Sequence, residues 1–191
     1  MSDEDDLMLQ TYHDYPAHRQ AHPHPEAGPP TIRPAAPHEV EAILELFAGE
    51  VRAGKMLPRD PAEMRASIGN WLVAVDRGRI VGCVSLVFFN AELCEVRSLA
   101  VHPDARGGGL GSRLIRASLD LAKQRGARRA LTLTRAVRLF ELAGFRRDLV
   151  ANYPEKVWRD CAPCPLKEMC DEVALIYDLD PDTADGKGVT A

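Results

Sequence analysis

Between Arg106 and Ser112 the chain reads Arg-Gly-Gly-Gly-Leu-Gly-Ser, with four glycines in five positions. Glycine has no Cβ, so backbone amides there can approach a ligand closely and adopt positive φ. An apolar stretch precedes this run and an amphipathic one follows it, so the loop opens a helix. The amides of a first helical turn have no intrahelical acceptor and sit at the positive end of the helix dipole. Together these features describe a cradle for an anion of pyrophosphate type. Residues 105–147 add eleven bases against two acids, Asp120 and Glu141. A local positive excess of that size selects a polyanionic partner.

Three phosphate motifs compete for this loop. The P-loop is excluded because no Lys-Ser or Lys-Thr pair follows the last glycine. The dinucleotide fingerprint fails because no acid stands near position 130, at the end of the next strand, to hold a ribose. The spacing Arg106-x-x-Gly109-x-Gly111 remains, with a tight turn that binds nothing as the alternative. Cys161-x-x-Cys164-x5-Cys170 has the spacing of a metal knuckle. It supplies three thiols where a tetrahedral zinc site takes four ligands. Free thiols in an irregular loop are therefore expected, with structural zinc as the alternative. His13, His18, His22 and His24 offer a weak metal site at most, within a solvated low-complexity arm.

The elements that must position these groups follow from periodicity. Ile32–Ala35 reads as a first strand. Val40, Ile43, Leu44 and Phe47 form one face of a helix. Asp60-Pro61 starts a second helix, with Asp60 as N-cap. Trp71–Asp76 and Arg79–Phe89 are apolar runs joined at Arg77-Gly78, a hairpin signal. Glu92–Val101 is a strand that enters the glycine loop, and a helix leaves it over residues 111–125. Arg129–Leu133 is a strand, Thr134 caps a short helix to Ala143, and strands over 145–150 and 172–179 complete the set. A β-meander followed by a βαβ unit specifies an α/β fold, with a mixed, mostly antiparallel sheet and flanking helices.

Composition bounds the rest. The chain has 191 residues, a net charge of -4 and 46% hydrophobic residues, an ordinary globular balance. The tails, residues 1–30 and 180–191, are polar and read as disordered. Residues 31–179 form the expected folded domain, with a cysteine-rich loop over 158–171. No apolar run approaches the length of a membrane span. The first residues carry no signal-peptide pattern. Five cysteines, three of them crowded together, point to a reducing compartment, the cytoplasm. Residues 105–139 interleave no aromatics with the bases, so nucleic acid is not the expected partner.

The string Glu95–Ser112, running from a strand through His102-Pro103 and Arg106-x-x-Gly109-x-Gly111 into a helix, resembles motif A of the GCN5-related N-acetyltransferase (GNAT) family. That likeness implies the acyl-CoA N-acyltransferase fold, with acetyl-CoA as co-substrate. Its pyrophosphate would lie on Arg106, Gly107, Gly108, Gly109, Leu110, Gly111 and Ser112. Splayed strands would leave the backbone of Leu99, Ala100 and Val101 to pair with the pantetheine arm. Leu139–Phe145 looks like the family's penultimate helix and following strand. The sequence departs from the pattern at Phe140, where many members carry a tyrosine that protonates the leaving thiolate. A closer likeness, carried by Gly54–Arg59, Glu95–Pro103 and Leu133–Arg135 with Phe140 and Gly144-Phe145, is to the acetyltransferase domains of the N-acetylglutamate synthases, and Lys156–Pro165 resembles their short stand-alone form.

That likeness implies acetyl transfer to the α-amine of an amino acid, L-glutamate first. Other acceptors would be a protein N-terminus or a small amine, and a non-catalytic acyl-CoA sensor is a further alternative. Transfer to a protonated amine needs a base. Glu95 is the candidate, and strict alternation would place Glu95, Arg97, Leu99 and Val101 on one face. A dicarboxylate acceptor needs cationic clamps, for which Arg59, Arg97 and Arg135, with Lys55 as a point charge, are the candidates. The expected partner is a small amino acid, and a homodimer is left open.

Overall fold

The computed structural model describes residues 28–180. The two tails, and with them the histidine run, lie outside these residues apart from 28–30 and 180. Seven strands form one sheet: β1 Thr31–Pro34, β2 Trp71–Asp76, β3 Arg79–Phe88, β4 Leu93–Val101, β5 Arg129–Thr134, β6 Arg146–Arg147 and β7 Val173–Asp178. The order across the sheet is β1-β2-β3-β4-β5-β7-β6. All neighbours run antiparallel except β4 and β5. The mixed, mostly antiparallel α/β fold read from the pattern is the fold observed. Among the described residues no helix is long and apolar enough to cross a membrane.

Both faces of the sheet are covered. Helices α1 (Val40–Arg52) and α2 (Pro61–Ala66) pack Val40, Ile43, Phe47 and Met64 against Trp71, Val73, Cys83 and Ala100. Helices α3 (Leu110–Gln124) and α4 (Val137–Leu142) pack Leu110, Leu114, Ile115 and Phe140 against Leu72, Ala74, Val84 and Val96 on the other face. Alternate residues of β2 therefore enter opposite cores, which is why its sequence is apolar throughout. The β2–β3 turn places Arg77 (φ 48) and Gly78 (φ 77) in the left-handed region. That two-residue geometry matches the twist of the flanking strands. Asp60 caps α2, its Oδ1 accepting from the amides of Ala62 (2.6 Å) and Glu63 (3.3 Å).

Two elements differ from expectation. The strand anticipated over 145–150 is only Arg146–Arg147, and residues 148–172 carry short helical pieces at Val150–Asn152, Pro154–Lys156, Val157–Cys161 and Lys167–Met169 joined by turns. After Arg147 the Asp148 carboxylate accepts from the Leu149 amide, the Asn152 side chain and the Tyr153 hydroxyl, which turns the chain away from β7. The helix expected from Thr134 starts three residues later, because Thr134 Oγ1 first accepts from the Ala136 amide in a turn.

The alternation along β4 is broken as well. Cys83 faces Ala100 and Ser85 faces Arg97, so β4 carries one residue more than β3 across this stretch. Ser98 sits at the resulting bulge with φ 55. The Ser85 hydroxyl donates to the Arg97 carbonyl (3.1 Å), and the Cys83 thiol to the Ser98 carbonyl (3.5 Å). An extra residue resets a period-2 pattern. Val96, Leu99 and Val101 consequently all pack toward α3, while Ala100 turns to the α1 side. Glu95 and Arg97 lie on the face opposite Leu99 and Val101, which corrects the single-face expectation.

β4 and β5 pair only over Leu93–Glu95 and Arg129–Leu131. Beyond Glu95 the two strands diverge. Their splay opens the space described next.

The start of the fold is tied by Arg33, whose guanidinium donates to both oxygens of Glu39 (2.7 and 2.8 Å). These bonds outweigh the cost of burial and lower the Glu39 carboxyl to about 2. A depressed carboxylate contributes stability above its ordinary value and loses it as pH falls toward the depressed one. Arg33 is 43% exposed, so solvent screens the pair. Glu39→Gln is expected to lower unfolding free energy by about 1 kcal/mol at neutral pH. Urea titrations should show the difference vanishing as pH approaches about 2.

Candidate active site

The diverging ends of β4 and β5 open a cleft of about 1340 Å³. Its walls are β4 from Glu95 onward, the glycine loop with the start of α3, the start of α4, the loop between α1 and α2, and segment 148–172. Gly107 and Gly109 have φ of 85 and 76, conformations that exclude ordinary side chains without strain. A Cβ placed on Gly107, Gly108 or Gly109 would meet nothing within 4 Å. The loop therefore presents bare backbone to open space. Leu110, Gly111 and Ser112 form the first turn of α3, whose amides have no intrahelical acceptor. Gly111 lies against Leu139, with 3.4 Å to a built Cβ, so α3 and α4 approach closely there.

These residues fit the diphosphate of coenzyme A. The unpaired edge of β4 beyond Glu95, including Leu99, Ala100 and Val101, fits an extended amide-bearing arm, which would add to the sheet as a further strand does. Arg106 has a different place from a free phosphate ligand. Its Nε donates to the Val101 carbonyl (2.9 Å) and its terminal nitrogen pairs with Glu50 (3.1 Å). It braces the loop against β4 and α1.

Part of the positive excess of residues 105–147 is met by acids outside that stretch. Arg106 pairs with Glu50, Arg128 with Glu92, Arg135 with Asp171 and Glu172, and Arg146 with Asp178, while Arg147 pairs with Glu141 inside it. Arg116 on α3 and Arg138 on α4 remain exposed. The polyanion signal thus contracts from the whole segment to the region around the loop.

The deep end of the cleft holds a charged cluster. Glu95 is 2% exposed, and Lys156 donates to both of its oxygens (2.8 and 2.9 Å). Lys156 also donates to Asp160 (3.1 Å). Asp160 in turn faces Arg159 (3.0 Å) and Arg97 (3.6 Å). Burial would raise the Asp160 carboxyl, but the Arg159 hydrogen bonds and the Lys156 charge prevail and hold it at about 2. Arg59 donates from Nε to Ser98 Oγ (3.1 Å). It has no carboxylate within 4.0 Å among the described residues. Burial, then repulsion from Arg97, pushes its guanidinium below the ordinary value. A cation made uncomfortable in this way is a receptor for an incoming anion.

Of the expected clamps, the structure brings Arg59 and Arg97 together at Glu95. Arg135 departs from the expectation. Its Nε pairs with Asp171 (2.6 Å), and Nη1 donates to the Lys55 carbonyl (3.0 Å) and Glu172 (3.4 Å). It ties the α1–α2 loop to the approach to β7 instead of standing free. Lys55 is exposed at the mouth. Lys156 is not among the expected site residues: it opens the stretch Lys156–Pro165 that carries part of the closer likeness, just before the cysteine-rich loop, and its partner lies 61 residues away. Segment 148–172 is pinned from outside by Asn90 on Glu155 (3.0 Å) and by Arg159 over the Phe89 ring (4.1 Å).

Phe140 is 2% exposed and packs edge-on against Phe145, so no hydroxyl stands at that position. Cys161, Cys164 and Cys170 line the cleft. Among the described residues no group of three or more His, Cys, Asp or Glu side chains is arranged to hold a metal ion. Burial pushes the Cys83 and Cys94 thiols up to about 12, which suits small core residues.

Residues 38–145 match the model of the acetyltransferase (GNAT) family. An uncharacterized N-acetyltransferase of Chlorobaculum tepidum is 30% identical over 148 residues, which are 78% of this chain and 96% of that protein. An amino-acid acetyltransferase of Pasteurella multocida is 30% identical over 128 residues, 66% of this chain and 29% of that protein. Among solved structures, N-acetylglutamate synthase from Neisseria gonorrhoeae, complexed with coenzyme A and N-acetyl-glutamate, superimposes with a TM-score of 0.71 at 26% identity. That match covers 78% of this chain and 35% of the synthase. The chain thus spans about a third of the length of these two longer relatives.

Proposed function

The chain belongs to the acetyltransferase (GNAT) family, and from that premise we propose that it acetylates the α-amine of a carboxylate-bearing amino acid, L-glutamate first. The observation that carries this reading is Arg59, a half-buried guanidinium without a carboxylate partner among the described residues, in the same cleft as Glu95. At the deep end Lys156 pairs with Glu95 and Asp160, and Arg97 faces Asp160, whereas Arg59 has no carboxylate within 4.0 Å among the described residues. An acceptor carboxylate supplies that partner, and an arginine fork holds it with directional bonds. The amino-acid acetyltransferase and N-acetylglutamate synthase relatives support the same class. With it comes a place at the entry to arginine biosynthesis, in the cytoplasm.

Acetyl-CoA, when bound, brings an acyl group already activated as a thioester. The glycine loop and the first turn of α3 hold its diphosphate, and the free edge of β4 aligns its arm. Arg59 and Arg97 orient the acceptor by its carboxylate. Orientation of this kind converts a bimolecular step into a nearly unimolecular one. Glu95 accepts a proton from the acceptor ammonium, which frees the nitrogen lone pair. Phe140 carries no proton to give, so the departing sulfur is not assisted from that position.

A thiol-release assay with acetyl-CoA against the twenty amino acids tests the reading. Strong preference for glutamate or glutamine is the expected result. Release with none of them overturns it and moves the acceptor to a peptide N-terminus or a small amine.

A further inference from the structure

The contacts of Lys156 extend the proposed mechanism and rest on the reading of Glu95 as the proton acceptor. We infer that Lys156, backed by Asp160, is a positioning residue that serves as the direct counter-ion of the Glu95 carboxylate and fixes the direction in which it points.

Glu95 is 2% exposed, so water cannot stabilise its charge. A carboxylate buried without a counter-ion protonates far above its usual range and then cannot act as a base. Lys156 is itself buried, 7% exposed, and meets both Glu95 oxygens. Its third N–H is spent on Asp160, so the ammonium has no freedom to rotate away. A carboxylate offers about four lone-pair sites, of which Lys156 takes two, leaving others for an acceptor N–H. Asp160 is held by Arg159 and faces Arg97. The chain Glu95–Lys156–Asp160–Arg97 therefore links the base to one of the clamps through contacts of 2.8, 3.1 and 3.6 Å.

The other charged or titratable groups that face Glu95 come from four elements. Arg59 approaches from the loop before α2, and Glu172 from the approach to β7. Arg97 stands on β4 itself, and Cys161 follows Asp160 in segment 148–172. Among the described residues Lys156 is the only cation within 4.0 Å of Glu95. Removing it leaves the carboxylate with no direct partner among them.

Lys156→Met keeps the length of the side chain and removes its charge. In the enzyme as it exists, the acidic limb of the kcat/KM profile for the acceptor is expected to move up by about one pH unit or more. Turnover at neutral pH should fall about tenfold or more, with KM for acetyl-CoA unchanged, and Lys156→Arg should return the limb toward its original place. A purely structural lysine would lower the yield of folded protein without moving the limb. An active Lys156→Met enzyme whose limb has not moved overturns the inference.

Thermal unfolding gives a readout independent of turnover. In Lys156→Met the buried Glu95 side chain has lost its counter-ion, and burial then penalises its charged form. Its penalty is then absent at low pH and grows as pH rises. The Tm deficit of the variant should therefore shrink from about pH 8 to about pH 5, and adding Glu95→Gln should abolish that slope. A deficit that does not change with pH overturns the inference even if no amino acid proves to be a substrate. A deficit with the expected slope upholds the pairing when the acceptor assignment itself fails.

Discussion

Glu95→Gln is expected to reduce kcat at neutral pH by about 10²–10³-fold, within the range that a positioned general base contributes. Glutamine keeps the shape of the side chain but cannot take a proton. The acceptor ammonium must then lose its proton to water before it can attack. The deficit should narrow as pH rises toward the amine's own pKa, since more acceptor arrives neutral. Steady-state rates across pH, with saturating acetyl-CoA, check this. Identical pH profiles for variant and parent would remove Glu95 from the mechanism. Calorimetry with coenzyme A is the control, because the glycine loop stands apart from Glu95 and its affinity should not change.

Arg59→Met should raise the acceptor KM and lower kcat/KM by about 100-fold or more, while KM for acetyl-CoA holds. Truncating one partner of a buried, hydrogen-bonded charge pair costs about 2–5 kcal/mol, and 100-fold corresponds to about 2.7 kcal/mol. Arg59→Lys should recover only part of the loss, since a point charge cannot match two carboxylate oxygens. The free enzyme gives a second, opposite signature. Arg59 is desolvated and repelled by Arg97 without a carboxylate in contact. Arg59→Met is therefore expected to raise Tm slightly even as it lowers activity. Gain of stability with loss of function marks a group kept for its ligand. A variant with unchanged acceptor KM would remove Arg59 as the clamp.

These effects depend on a bulge that alternation cannot announce. Ser98 adopts φ 55, a conformation costly for a residue with a side chain. Its carbonyl is held by Cys83 and its hydroxyl receives Arg59. The extra residue separates two tasks along one strand. Before it, Glu95 and Arg97 face the charged cluster. After it, Leu99 and Val101 pack toward α3 and leave their backbone on the cleft. A regular strand would have set all four side chains on one face.

The glycine loop, the Asp60 cap, the Arg77-Gly78 turn and the apolar strands were all determined by the sequence alone. Each depends on residues a few positions apart: a missing Cβ, a side-chain oxygen near two amides, a repeat of two or of 3.6. The tertiary structure alone decided which charges meet. It seated Lys156 on Glu95 across 61 residues, drew Arg135 onto Asp171 and Glu172, and left Arg59 without a carboxylate. Backbone patterns are set over short stretches of chain, whereas ion pairs in a cleft depend on distances that exist only after the sheet has closed.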